Sequence, residues 1–277
     1  MDRYVVIGNP VAHSQSPRIH AAFAQQTGQS LHYGTLLAPI DGFVAAVKRF
    51  RDDGGCGMNV TVPFKLQAFA LADRRSPRAE AAGAVNTLAF GDGDIFGDNT
   101  DGAGLVRDLI DNLACPLKYR RILVLGAGGA ARGALLPLLA QMPASLTIAN
   151  RTVAKASALA ERFQAHATGA AIDACGFEAL AGRCFDVVIN ATSASLSDQT
   201  PPLPQGIYAP GALAYDMMYS RGDTRFVAAA RSQGAARLAD GLGMLVEQAA
   251  ESFLLWRGMR PDTRPVLEEL RRQFATG

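Results

Sequence analysis

The sequence predicts an α/β protein built on two mostly parallel sheets. Apolar strand-like runs and amphipathic helical runs alternate from Tyr4 to Val62, a β-α-β-α-β order that implies parallel strands. A second strand-turn-helix unit opens at Arg121 with a glycine-rich turn. Between the two units lies Gly97-Asp98-Asn99-Thr100-Asp101-Gly102, dense in polar turn formers. The 277 residues, 49% of them hydrophobic, suffice for two such cores without covalent staples. A net charge of +2, spread without a basic tract, argues against nucleic acid or an anionic membrane as partner. Cys56, Cys115, Cys175 and Cys184 stand singly, so neither a disulfide framework nor a metal site is expected and a reducing cytoplasm fits. No apolar stretch reaches spanning length and the chain enters a strand-like run at once, so neither membrane helix nor signal peptide is expected.

Tyr4 to Ile7 is a buried strand ending at Gly8-Asn9-Pro10. In the loop His13-Ser14-Gln15-Ser16-Pro17, Pro17 suits the first helical position and Ser16 the cap before it, with the helix stopping at Gly28. Capping explains Ser16 but not Ser14; a helix start with a spare hydroxyl is also suited to a carboxylate or phosphate, and both readings stand. Leu31 to Leu37 forms the second strand, Asp41 caps a helix through about Arg51, and Gly54-Gly55 turns the chain into a third strand. That strand carries Asn59 and Thr61 on one face, with Val60 and Val62 turned to the core. Pro63 stops it, which puts Lys65 in the first turn of the next helix, where the helix dipole disfavours a cation. A solvated surface lysine and a functional one are both compatible with this placement. Ligands of such sheets gather at the carboxyl ends of the strands, where Ser14, Thr61 and Lys65 lie.

Phe64 to Asp73 and Ser76 to Ala82 read as helices. Val85 to Leu88 and Ile95-Phe96 form a hairpin around Gly91-Asp92-Gly93-Asp94. Asn86, near its start, is either a turn amide or a ligand contact. Asp101 suits the cap of the amphipathic run Leu105 to Leu113, and the domain boundary is placed here: residues 1–101 with 241–277 on one side, 102–240 on the other.

Arg121 to Leu125 is a buried strand followed by Gly126-Ala127-Gly128-Gly129-Ala130-Ala131 and a helix toward Gln141. This is G-x-G-x-x-A in the strand-turn-helix setting that lets a backbone approach a pyrophosphate. The next strand, Ser145 to Ala149, ends not in the carboxylate that would bind NAD ribose hydroxyls but in Asn150-Arg151-Thr152. With Lys155 a turn later, Arg151 makes a cationic fork for the 2′-phosphate of NADP. Phe185 to Asn190 and Ala212 to Met217 are further strands, the former followed by Ala191-Thr192-Ser193-Ala194-Ser195. Tyr219 either reaches a cleft or covers the sheet edge. A helix from Arg225 to Ser232 and a short strand at Arg237-Leu238 lead to Gly241. Gln248 begins the polar interruption of an apolar helix reaching Trp256, as helix surface or as a group aimed into a cleft, and a last helix spans about Pro265 to Phe274.

Together, Ser14-Gln15-Ser16-Pro17, Asn59 to Lys65, Ala84-Val85-Asn86-Thr87, Asp98 to Gly102, Gly126 to Ala130, Asn150-Arg151-Thr152 and Asp240 to Gln248 resemble the shikimate dehydrogenases over nearly the whole chain. The resemblance implies an α/β substrate domain with an inserted Rossmann-type NADP domain and C-terminal helices that return to the first domain. It implies NADPH-dependent reduction of 3-dehydroshikimate to shikimate, a step of chorismate and aromatic amino acid biosynthesis, in a cytoplasmic monomer or homodimer. It also implies that Lys65 and Asp101 are the catalytic pair and that Ser14 and Ser16 hold the substrate carboxylate. Asn59, Thr61, Asn86, Tyr219 and Gln248 would hold the ring and its hydroxyls. Gly126, Ala127, Gly128, Gly129, Ala130, Asn150, Arg151, Thr152 and Lys155 would bind NADP, with Met217 and Gly241 lining its nicotinamide end. Ala131 and Ser195 depart from the family pattern, which has serine and glycine there. The alternatives are a quinate/shikimate dehydrogenase using NAD and a non-catalytic sensor of the same ligands.

Overall fold

A computed structural model describes residues 1–91, 93–167, 169–192 and 200–276. The chain opens with β1 (Asp2–Gly8), α1 (Ser16–Thr27), β2 (Leu31–Leu37), α2 (Phe43–Asp52) and β3 (Gly55–Val60), and β1 lies parallel to both β2 and β3. Then come α3 (Lys65–Leu71), β4 (Arg74–Arg75), α4 (Pro77–Ala82), β5 (Thr87–Phe90) and β6 (Ile95–Asp98). The β5–β6 hairpin pairs antiparallel and docks β5 antiparallel on β3, so the sheet runs β2-β1-β3-β5-β6-β4 with mixed directions. Asp92, in the expected hairpin turn, lies outside the described residues.

Helix α5 (Asp101–Arg107) continues as a π-helical turn over Asp108–Asn112 and leads to the second sheet. This consists of β7 (Arg121–Leu125), α6 (Gly129–Leu139), β8 (Ser145–Ala149), α7 (Val153–Phe163), β9 (Ala171–Cys175), β10 (Phe185–Asn190), β11 (Tyr208–Asp216), α8 (Arg225–Ser232) and β12 (Arg237–Ala239). All pairings are parallel, in the order β12-β11-β10-β7-β8-β9, a doubly wound sheet whose direction of winding reverses between β7 and β10. Helices α9 (Leu242–Arg257) and α10 (Arg264–Thr276) close the chain. Both pack with α1 through Ile19, Phe23, Val246, Phe253 and Leu270, and Trp256 of α9 stacks on Tyr4 of β1 at 4.6 Å. Among the described residues no helix is long and apolar enough to cross a membrane.

Several local expectations change. Helix α1 starts at Ser16 itself, which is buried, and the side chain serving the start is that of Ser14, whose Oγ accepts the Ser16 N–H at 3.3 Å. Asp41 does not cap α2: the Pro39–Gly42 turn closes on itself and leaves Gly42 as the cap position. Thr100, not Asp101, precedes α5, and Asp101 is its first residue. Val62 is 67% exposed because β3 already ends at Val60, and the alternation ends with it. Strands β4 and β9 were not evident in the sequence; one has two residues and the other is a half-buried edge strand without alternation.

Helix α5 is wedged between α6 and α9, and two glycines make the fit. A Cβ on Gly102 would stand 2.8 Å from Pro137 of α6, and one on Gly104 would stand 2.6 Å from the backbone nitrogen of Gln248 on α9. Since backbone cannot yield as a flexible side chain does, Gly104→Ala should lower stability by about 1–3 kcal/mol. A fall in Tm by calorimetry checks this.

His20, on α1, is fully buried and stacked on Tyr33 at 4.1 Å, beside Phe23, Phe253 and Trp256. Neither ring nitrogen reaches a hydrogen-bond partner among the described residues. Burial lowers its pKa to about 3, with the nearby Asn59 amide opposing only in part. The folded state therefore holds a neutral imidazole where the unfolded chain binds a proton, so stability is lost as pH falls from about 6.5 toward 3. Urea titrations across that window should show a slope approaching about 1.4 kcal/mol per pH unit from this residue, absent in His20→Phe.

Candidate active site

The site begins where β3 stops. Asn59 is buried in the strand, Thr61 follows just beyond it, and the chain turns through Pro63 into α3, whose first residue is Lys65. Asp101 opens α5 across from it. Lys65 Nζ donates to Asp101 Oδ2 at 2.5 Å, the lysine side chain 32% exposed and the aspartate 13%. An acidic group at a helix start is favoured and a basic one disfavoured, so the pair offsets the misplacement of Lys65. It does so at the edge of a cleft, where the ammonium remains within reach of a ligand.

Behind the pair lies a layer of amides and hydroxyls. Asn86 Nδ2 donates to Asp101 Oδ1 at 2.8 Å and to Thr100 Oγ1 at 2.9 Å, while its Oδ1 accepts the Thr100 N–H at 2.8 Å. Asn59 Nδ2 donates to Ser252 Oγ at 2.9 Å and Thr87 Oγ1 at 3.1 Å, and its Oδ1 accepts from the Tyr33 hydroxyl at 2.7 Å. Gln248 projects from α9 over Asn86 and Thr100, its Nε2 bound to the Leu245 carbonyl at 2.8 Å. The loop carrying Thr100 and Asp101 is anchored by Asp98. Burial pushes the Asp98 carboxyl up, but the hydrogen bonds and charge of Arg78, with help from Ser76, hold it below the usual carboxylate range.

Ser14, Ser16, Asn59, Thr61, Lys65, Asn86, Asp101, Tyr219 and Gln248 all line one cavity of about 450 Å³. Its opposite wall comes from the second sheet: Ala130 at the start of α6, Ala191 and Thr192 after β10, Met217 after β11 and Gly241 before α9. Tyr219, which sequence left open between cleft and sheet edge, stands in the cleft and meets Phe274 edge-on at 5.8 Å. Burial raises its phenol pKa. Gly241 sits where a Cβ would come 2.7 Å from the Met217 carbonyl carbon, so only glycine lets the ends of β11 and β12 meet there. Ser193 and Ser195 lie outside the described residues.

Gly126, Ala127, Gly128, Gly129, Asn150, Arg151, Thr152 and Lys155 do not line this cavity. They leave the carboxyl ends of β7 and β8, which run side by side with Leu125 opposite Ala149. Gly126 has φ +102°, a conformation that favours glycine, and apart from chain neighbours and the backbone of α6 itself none of the described residues lies within 4 Å of a Cβ placed on Gly128 or Gly129. The start of α6 is thus open to a diphosphate. Asn150 Nδ2 closes the next turn onto the Thr152 carbonyl at 2.9 Å. Arg151 and Lys155 are exposed beside it, and neither forms an ion pair among the described residues. These donors fit a dinucleotide with an added phosphate. Among the described residues no group of three or more His, Cys, Asp or Glu side chains is arranged to hold a metal ion.

Tyr33, Thr87, Thr100 and Ser252 are polar residues of the layer behind the site that the sequence did not single out. One signal was present: Ser252 stands one helical turn after Gln248 and so on the same face of α9.

Comparison with known proteins matches three family models along the chain. They are the shikimate dehydrogenase substrate binding domain over residues 6–88, shikimate / quinate 5-dehydrogenase over 108–197 and the shikimate 5′-dehydrogenase C-terminal domain over 241–271. A shikimate dehydrogenase (NADP(+)) of Aromatoleum aromaticum is 70% identical across 100% of this chain and 99% of its own length. Among solved structures, an Ael1 enzyme from Pseudomonas putida superposes with a TM-score of 0.91 at 55% identity, covering 98% of each chain. The shikimate 5-dehydrogenase of Thermus thermophilus, in complex with NADP(H) and shikimate, superposes with a TM-score of 0.86 at 36% identity, covering 98% of this chain and 99% of the other.

Proposed function

The chain belongs to the shikimate dehydrogenase family, and from that premise we propose that it interconverts 3-dehydroshikimate and shikimate with NADP(H), as a cytoplasmic enzyme of aromatic amino acid biosynthesis. The observation that carries the reading is the 2.5 Å Lys65–Asp101 pair on one wall of a cavity whose other wall belongs to the nucleotide sheet. Residues 1–101 with 241–277 form the substrate side in this reading, and 102–240 the cofactor side.

NADP(H), when bound, would supply the hydride chemistry at C3. Lys65 Nζ gives a proton to the substrate oxygen as reduction proceeds and recovers it in oxidation. A cation beside an oxygen that is gaining charge is stabilising mainly in the transition state, so Lys65 acts on kcat more than on binding. Asp101 Oδ2 holds the ammonium in place, and Asn86 holds Asp101 from behind. The hydroxyls of Ser14 and Ser16 receive the substrate carboxylate at the start of α1; Asn59, Thr61, Asn86, Tyr219 and Gln248 surround the ring. The open turn Gly126–Ala130 takes the diphosphate on the α6 N-terminus, Asn150 to Lys155 take the adenosine end, and Met217 and Gly241 flank the nicotinamide end. Arg151 and Lys155 favour NADP over NAD because a 2′-phosphate gives them an anion to pair with.

Absorbance of reduced nicotinamide, followed after mixing the protein with shikimate and NADP, should show turnover; its absence overturns the reading. Lys65→Ala should lower kcat by roughly a hundredfold to ten-thousandfold with far less effect on the KM for shikimate. Arg151→Ala should raise the KM for NADP by about tenfold or more, the loss of a charged hydrogen bond, and leave the KM for NAD nearly unchanged. Initial rates with each cofactor check both the preference and its origin.

A further inference from the structure

We propose that Tyr33, Thr87 and Ser252 are positioning residues that carry the hydrogen-bond direction fixed at Asp101 and the Thr100 N–H as far as Asn59, and so make Asn59 an acceptor toward the ligand; the proposal rests on the function given above. Two groups at one end of the network have a single possible polarity. The Asp101 carboxylate accepts and the Thr100 backbone N–H donates, and Asn86 lies between them at 2.8 Å from each. Its amide therefore has one orientation, Nδ2 to Asp101 and Oδ1 to Thr100. The second Nδ2 proton goes to Thr100 Oγ1 at 2.9 Å.

That orientation propagates. Thr87 Oγ1 stands 2.9 Å from Asn86 Oδ1, an oxygen that only accepts, so Thr87 commits its one proton there. Ser252 Oγ is 2.8 Å from Thr87 Oγ1 and 3.1 Å from the Gln248 carbonyl, an oxygen that only accepts; its one proton goes to one of these two, and in either case it keeps a lone pair for Asn59. Asn59 Nδ2 then meets three oxygens with lone pairs to offer, Ser252 Oγ at 2.9 Å, Thr87 Oγ1 at 3.1 Å and the Asn86 backbone carbonyl at 3.3 Å. Its Oδ1 faces Tyr33, whose hydroxyl donates at 2.7 Å. Burial keeps the Tyr33 phenol well above its usual range, so the proton needed for this last bond is present. Thr87 and Ser252 are fully buried, where an unmade hydrogen bond is costly, so the chain of donors has little freedom to reverse.

The consequence differs for the two asparagines. Asn86 has both protons and both oxygen lone pairs committed to Thr87, Thr100 and Asp101, so it serves the carboxylate. Asn59 has both protons committed, so what it offers the cavity it lines is Oδ1, which accepts from Tyr33 and lies near the buried His20 ring. A ligand group placed there must donate: a hydroxyl is accepted and a carbonyl refused. The ring of 3-dehydroshikimate is thereby turned with its keto oxygen away from Asn59, leaving the donor Lys65 to meet it.

Thr87→Val removes the hydroxyl with little change of shape, and Thr87→Ser keeps it. The valine variant should raise the KM for shikimate about tenfold, the equivalent of one buried hydrogen bond, and leave the KM for NADP unchanged. Thr87→Ser should restore the shikimate KM. Tyr33→Phe, which retains the ring stacked on His20, should raise the KM for shikimate and leave that for NADP unchanged. A Thr87→Val enzyme with wild-type shikimate KM overturns the proposal, as does an equal rise in both KM values that Thr87→Ser fails to rescue. Should Thr87→Val not fold, an unchanged shikimate KM in Tyr33→Phe overturns it alone. If the wild-type protein does not turn over, the functional reading fails first; calorimetric titration with shikimate then decides the relay, which predicts weaker binding to Tyr33→Phe than to wild type.

Discussion

Two helices with the same preference for negative charge at their starts begin side by side, one with Lys65 and the other with Asp101, and the bond between these side chains joins them. Lys65 opens α3 and Asp101 opens α5, so one end charge opposes its helix and the other supports it. A 2.5 Å contact between them resolves the conflict locally. It also ties the loop after β3 to the crossover that leaves the first sheet.

The pair depends on how closely α5 can be gripped. Glycines at 102 and 104 let α6 and α9 approach its backbone from two sides, and α9 then presents different residues to different neighbours. Gln248 and Ser252 point to the amide layer beneath the cavity. Glu247 and Glu251 turn to a cluster of arginines, with Arg260 bound to both and Arg78 and Arg107 reaching Glu251 at 3.3 and 3.1 Å. A nearly buried carboxylate without partners is strongly destabilising, so these ion pairs hold the Glu247 and Glu251 face of α9 toward the arginines. Rotation of α9 in turn decides whether Gln248 faces the cleft.

Much of this was legible in the chain. Strands and helices with strong periodicity, Leu31–Leu37, Arg121–Leu125 and Arg225–Ser232 among them, stand where apolar spacing places them. Features of the glycine turn and of Arg151 follow from residue type and from position relative to a strand end, both of which are local. Helix starts were less legible. Ser16 has the right chemistry for a cap, yet it is buried inside the helix while Ser14 accepts its N–H, because competition between adjacent hydroxyls is settled by packing of the loop. The two-residue β4 and the edge strand β9 carry no alternating pattern at all, and their pairing partners decide them.

The sequence by itself determined the α/β architecture, the dinucleotide turn, the absent carboxylate after β8 and the polar residues at the strand ends, since each depends on chain neighbours within a few positions. Family resemblance then proposed how those residues divide the work. Only the tertiary structure decided which of them face one another: that Asn86 bonds Asp101, that Tyr33 and Ser252 bond Asn59, and that Tyr219 stands in the cleft. Hydrogen-bond direction is a property of a closed network of partners, and residues 33, 59, 87 and 252 become partners only when α9 has folded back onto the first sheet.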